Sequence, residues 1–190
     1  MFERTTASQQ DADKAETKTK DKTTTETRHE GDTLNNNDDM LRFMGSRGSR
    51  NTLELTDEQQ IQIYQHIDEL GLNRDDFLIS SHMSAYSDNW DKVFLGPNVF
   101  PASTRTTNTV FETMTPRAVV AHEAGHMITT RNGTAFEPGS LFDEVGASLT
   151  GRELPGLTNV ERYQLLRDAA ERARNEGQNL RDVLPQIKGQ

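Results

Sequence analysis

The residues of this chain best suited to chemistry lie in the run His122-Glu123-Ala124-Gly125-His126. On a helix, side chains four apart share one face, so both imidazoles can reach a single metal ion. Glu123 points about 100° further round the axis. There it is badly placed as a ligand but well placed beside a metal-bound water. Zinc lowers the pKa of such a water from about 15.7 to about 7, and a neighbouring carboxylate can pass its remaining proton to a leaving amine. H-E-x-x-H is the sequence form of this arrangement, and the chemistry it serves is hydrolysis of a peptide bond.

The surrounding residues predict the helix that this chemistry needs. Thr115 suits an N-cap and Pro116 the first helical position, and Ala118-Val119-Val120-Ala121 leads into the motif as a buried stretch. Gly125 costs a helix roughly 1 kcal/mol against Ala, which predicts a close approach to the backbone there, by a packed helix or by substrate. A catalytic zinc takes three protein ligands and leaves a fourth position open. The segment Ser140 to Ser148 offers the third. Ser140 and Asp143 make a capping-box-like start with Asp in place of Glu or Gln, and Glu144 falls in the first turns of the helix they begin. Ala147 shares its face and is small enough for contact with the first helix. Asp143 is the rival ligand, and the helix dipole by itself favours a carboxylate at such a position. Asn132-Gly133 and Pro138-Gly139 mark the loop that reverses the chain between the two helices.

His122-Glu123-x-x-His126 followed by Glu144-x-x-Ala147-Ser148 resembles the gluzincin branch of the zinc metallopeptidases. The resemblance implies Zn2+ as cofactor, His122, His126 and Glu144 as its ligands, and Glu123 as general base and then acid. No His follows His126, so the metzincin pattern is not met. The order of Val93-Phe-Leu-Gly-Pro-Asn-Val-Phe-Pro101, Thr115 to His126 and Asp143 to Ser148 is also similar to the small metallopeptidase domains that end bacterial polymorphic toxins. This likeness spans roughly Trp90 to Asn175. It implies a protein or peptide substrate, delivery into another cell, and an injection apparatus or immunity protein as partner. It further implies that the strand region Val93 to Phe100 edges the cleft and pairs with extended substrate. His82, Tyr86, Arg162 and Tyr163 are candidate donors to a developing oxyanion, and the sequence does not choose among them. His29 lies in the polar N-terminal segment, and His66 falls in a helix where a solvated or capping role fits.

The 190 residues carry a net charge of −9. An acidic body argues against nucleic acid as partner. Cysteine is absent, so any zinc must be held by nitrogen and oxygen, and activation through a blocking cysteine is excluded. No signal peptide or membrane-length apolar run is visible, which predicts synthesis in a bacterial cytoplasm and, if the protein is exported, a route that reads no such signal. Residues 1–50 are almost wholly polar and cannot bury enough apolar surface to offset ordering. They are expected to be a disordered tail, with a delivery address as one role. Residues 51–190 are then the folded domain.

The expected architecture is a mostly helical α+β, zincin-like domain with a short sheet. Thr56 to Gln59 and Thr158 to Glu161 read as capping boxes. Ile61, Tyr64, Ile67 and Leu70 would face inward on a helix stopped by Gly71. Phe77 to Ile79, Lys92 to Leu95 and Val99-Phe100 read as strands. Leu165, Leu166, Ala169 and Ala173 line a helix running to Gly177, and Leu180 to Ile187 form a last one, interrupted by Pro185. Two further readings stand beside the toxin: an intracellular regulatory metalloprotease, and a zinc-stabilised binding or cargo module. The last is disfavoured because structural zinc sites fill all four positions, most often with Cys among them.

Overall fold

The computed structural model describes residues 50–102, 109–134 and 136–188. The expected tail lies outside these residues except for Arg50, which is buried in the fold. Among the described residues, six helices and three short strands make a mostly helical α+β domain: α1 (Asp57–Glu69), β1 (Phe77–Ile79), β2 (Ala85–Ser87), β3 (Lys92–Leu95), α2 (Val110–Thr113), α3 (Pro116–Arg131), α4 (Leu141–Gly151), α5 (Asn159–Asn175) and α6 (Leu180–Lys188). None of these helices is long and apolar enough to cross a membrane.

The helix starts follow local chemistry. Thr56 and Gln59 form a complete capping box on α1, and Thr158 and Glu161 form one on α5. Thr115 Oγ1 accepts from the Ala118 N–H, with Pro116 in the first turn of α3. The buried face of α1 is Ile63, Ile67 and Leu70, while Ile61 is exposed. The three-residue steps that seemed to align Ile61 with Leu70 fall short of a full turn each time. Over nine residues the shortfall adds up to about half a revolution. On α5, Leu165, Ala169 and Ala173 are fully buried and Leu166 only partly. Pro185 does not interrupt α6, which runs through it to Lys188. The ring is exposed and φ already suits a helix.

The sheet has the order β1-β3-β2, with β1 parallel and β2 antiparallel to β3. β3 is therefore paired on both sides and has no free edge for substrate, which corrects the role expected for Val93 to Phe100. The expected strand at Val99-Phe100 is instead a 3-10 turn over Pro97–Val99. The antiparallel edge is β2, which the sequence did not announce because Ala85-Tyr86-Ser87 is short and buried throughout. Both β2 and β3 pack on α3. The main core joins α1, the sheet, α3 and Leu165 of α5, and a smaller cluster of Val145, Ala169, Ala173 and Val183 ties α4 to α5 and α6.

Two small residues on each of α3 and α4 let their backbones touch. A Cβ on Gly125 would stand 2.1 Å from the Ala147 carbonyl oxygen, and one on Gly151 would stand 2.2 Å from that of Ala121. Gly125 is thus required by helix packing rather than by substrate, and this crossing brings Glu144 opposite the two histidines.

Candidate metal centre

His122 and His126 lie on the buried face of α3, one turn apart, with ring centroids 4.9 Å from each other. Across the crossing, Glu144 presents Oε2 at 3.3 Å from His122 Nε2 and 4.0 Å from His126 Nε2. These three buried side chains form a group that could hold a metal ion. Two imidazole nitrogens, one carboxylate oxygen and no sulfur make a donor set that suits zinc.

The outer nitrogens decide which inner ones are free. His126 Nδ1 lies 3.0 Å from Asp143 Oδ1. An ionised carboxylate only accepts, so Nδ1 carries a proton and donates, and Nε2 is the nitrogen turned toward Glu144. Asp143, the rival ligand of the sequence reading, therefore serves by orienting His126. Its other oxygen accepts from the Gly139 N–H at 2.9 Å, and Ser140 Oγ accepts from the Asp143 N–H to cap α4. His122 Nδ1 stands 2.9 Å from Ser148 Oγ, whose hydroxyl lies 2.6 Å from Asp168 Oδ2.

Arg172 closes the far side. Its Nη1 is 2.7 Å from Glu144 Oε2, and its Nε donates to Asp168 Oδ2 at 2.8 Å. Burial opposes ionisation of Glu144, but Arg172 and the two histidines outweigh it and hold the carboxyl well below its ordinary range. Glu123, also buried, has its pKa raised, chiefly by burial and also by Glu144, against the pull of His122, His126 and Arg172. Burial would lower the pKa of His126, yet the Asp143 hydrogen bond and the surrounding carboxylates raise it. A cavity of about 190 Å³, lined by Ser140, Leu141, Glu144, Arg172 and Asn175 among others, borders the triad at Glu144.

Phe111 of α2 packs edge-on against His122, with centroids 5.9 Å apart, and lies beneath the guanidinium of Arg172. Its other neighbour is Arg50, which donates to the carbonyls of Asn98, Val99, Phe111, Glu112 and Met114 and so fixes the segment that precedes α3. Burial lowers the Arg50 pKa to about 10, against the support of Glu112.

His122, His126 and Glu144 come together in one buried group that could hold a metal ion, and Glu123 is buried on the same helix as the two histidines. The four candidate oxyanion donors have other engagements. Arg162 donates to the carbonyls of Arg152 and Leu154 at the end of α4. Tyr163 is exposed beside Arg167. Tyr86 donates its phenol to Asp91, and His82 is exposed in the loop after β1. The sequence reading quoted Ser148 in the Glu144 segment without giving it a role, and it missed Asp168 and Arg172. The last two were detectable as charges interleaved with the buried stripe Leu165, Ala169 and Ala173, where a solvated role does not fit.

No family model matches the chain, and comparison with curated proteins and with solved structures gave no match.

Proposed function

We propose that the chain is a zinc-dependent endopeptidase. The observation that carries the reading is that His122 Nε2 and His126 Nε2 lie 3.3 and 4.0 Å from Glu144 Oε2, with Glu123 buried on the same helix as the two histidines. The described metal-ligating group has three members, which fits a catalytic site with one position left for water or substrate better than a closed structural site. Zinc, when bound, supplies a Lewis acid that acidifies water and polarises a carbonyl. Glu123 then takes the proton from water and delivers it to the amine of the cleaved bond. Asp143 keeps His126 Nε2 free for the metal.

The setting we propose is that of a bacterial effector acting in another cell, on the likeness of segment order to toxin metallopeptidase domains. The test of the activity is Glu123→Gln. It should keep zinc and fold while losing at least about a hundredfold in peptide cleavage, the scale of general-base catalysis. A variant that cleaves as fast as the parent removes Glu123 from the chemistry. If zinc-loaded parent cleaves nothing in a peptide library or a cell lysate, the binding-module reading replaces the enzyme.

A further inference from the structure

Five side chains of the site form a closed circuit. From His122 Nδ1 it passes to Ser148 Oγ at 2.9 Å, to Asp168 Oδ2 at 2.6 Å, to Arg172 Nε at 2.8 Å, from Arg172 Nη1 to Glu144 Oε2 at 2.7 Å, and back to His122 Nε2 at 3.3 Å. Asp168 and Ser148 are 3 % and 0 % exposed, so neither is a surface group paired by chance. Ser148 closes the Glu144 segment, and Asp168 lies outside both motifs on a third helix, α5.

The direction of each bond follows from proton count. Asp168 only accepts as a carboxylate, and the Arg172 guanidinium only donates. Ser148 has one hydroxyl proton, and it goes to Asp168. Toward His122 the hydroxyl can then only accept, so His122 must carry its proton on Nδ1. Nε2 is then the nitrogen available to a metal ion shared with Glu144. Through Arg172 the same Asp168 oxygen also holds the carboxylate of Glu144. We propose that Asp168 is a positioning residue for two metal ligands at once: it fixes the tautomer of His122 through Ser148 and the placement of Glu144 through Arg172. Where Asp143 reaches its histidine directly, Asp168 works through a hydroxyl and a guanidinium. Removal of partners beyond the ligands typically costs ten- to a hundredfold in metal affinity, and residues that act in one network do not add.

The inference rests on the metal reading, and two measurements on the full-length protein separate them. The first is the ring 15N shifts of His122 in chelator-treated wild type. The expected result is the Nδ1–H form, with Ser148→Ala shifting it toward a mixture. An Nδ1 without a proton in wild type overturns the relay whether or not zinc binds. The second is zinc affinity by competition with a chromophoric chelator for Ser148→Ala, Asp168→Asn and the double variant. Each single change should weaken binding about tenfold or more, and the pair by less than the product of the two. Multiplicative losses, or variants that bind as tightly as the parent, overturn the inference while leaving the metal site standing. A parent that binds no zinc defeats the metal reading, and the tautomer still judges the relay.

Discussion

Substituting Gly125 by Ala should damage metal binding far more than its chemical modesty suggests. The added Cβ would meet the Ala147 carbonyl oxygen at 2.1 Å, its carbon at 2.8 Å and its Cα at 3.0 Å. All three are backbone atoms, so no side-chain rotation relieves them. Restoring an ordinary contact of about 3.4 Å needs about 1.3 Å of separation between α3 and α4. Overpacking of this kind costs about 1–3 kcal/mol, and replacing a helical glycine returns up to about 1 kcal/mol, leaving a net loss of up to about 2 kcal/mol. The functional loss is larger, because the two histidines are on one helix and Glu144 is on the other. Ligand distances must hold to about 0.2 Å, a tolerance that the displacement exceeds several times. Zinc affinity should fall by at least about thirtyfold. Gly146→Ala is the control, since its Cβ would meet only the Phe136 ring at 3.4 Å and Thr129 Cγ2 at 3.9 Å. It should keep zinc and match or exceed the parent in stability. The assay is chelator competition for zinc with thermal melts of loaded and stripped protein. A Gly125→Ala protein with unchanged affinity and melting temperature would refute the account of the helix crossing, as would a Gly146→Ala protein equally impaired.

Arg50→Ala should destabilise the domain by on the order of 3–5 kcal/mol, because five carbonyl acceptors lose a charged donor inside the fold. Deleting residues 1–49 should leave melting temperature nearly unchanged while deletion through Arg50 lowers it sharply, which denaturant melts of the two truncations would check. Glu161, held down to about 2 despite its burial by Arg117, Thr158 and Thr115, should contribute stability that is fully present above the unfolded carboxyl pKa of about 4.3. That contribution is lost as pH falls through about 2. Glu161→Gln should accordingly lower stability at neutral pH and flatten its dependence between about pH 4 and 2. An acid-denaturation profile that keeps the parental slope would contradict that assignment.

The features legible in the sequence were those written in residues close together along the chain. The caps at Thr56, Thr115, Ser140 and Thr158 depend on partners three residues on, and His122 with His126 on a single turn, so their structure follows from spacing alone. Glu144 was reachable because a catalytic zinc needs a third ligand and a capped helix start supplies a carboxylate. The choice between Asp143 and Glu144 was not settled by geometry at that stage. It depends on the crossing at Gly125 and Gly151, which turns one carboxylate inward between the two Nε2 atoms and the other outward to His126 Nδ1. Ser148, Asp168 and Arg172 act across separations of twenty residues or more from the histidines, and their signal is only a polar break in an apolar stripe. The centre of the sheet was misjudged for a similar reason. Strand order is a tertiary outcome, and β2 is too short and too buried to show the alternation that marks an edge.

The central claim is that His122, His126 and Glu144 hold one zinc ion per chain. It is tested most directly by elemental analysis of protein purified without chelator, joined to zinc-edge X-ray absorption on the same sample. The account predicts one zinc per chain with imidazole nitrogen and carboxylate oxygen at about 2.0–2.2 Å, no sulfur, and loss of the metal in His122→Ala. Protein that carries no divalent metal and takes up none when zinc is added, or zinc that stays bound after His122→Ala, would contradict it.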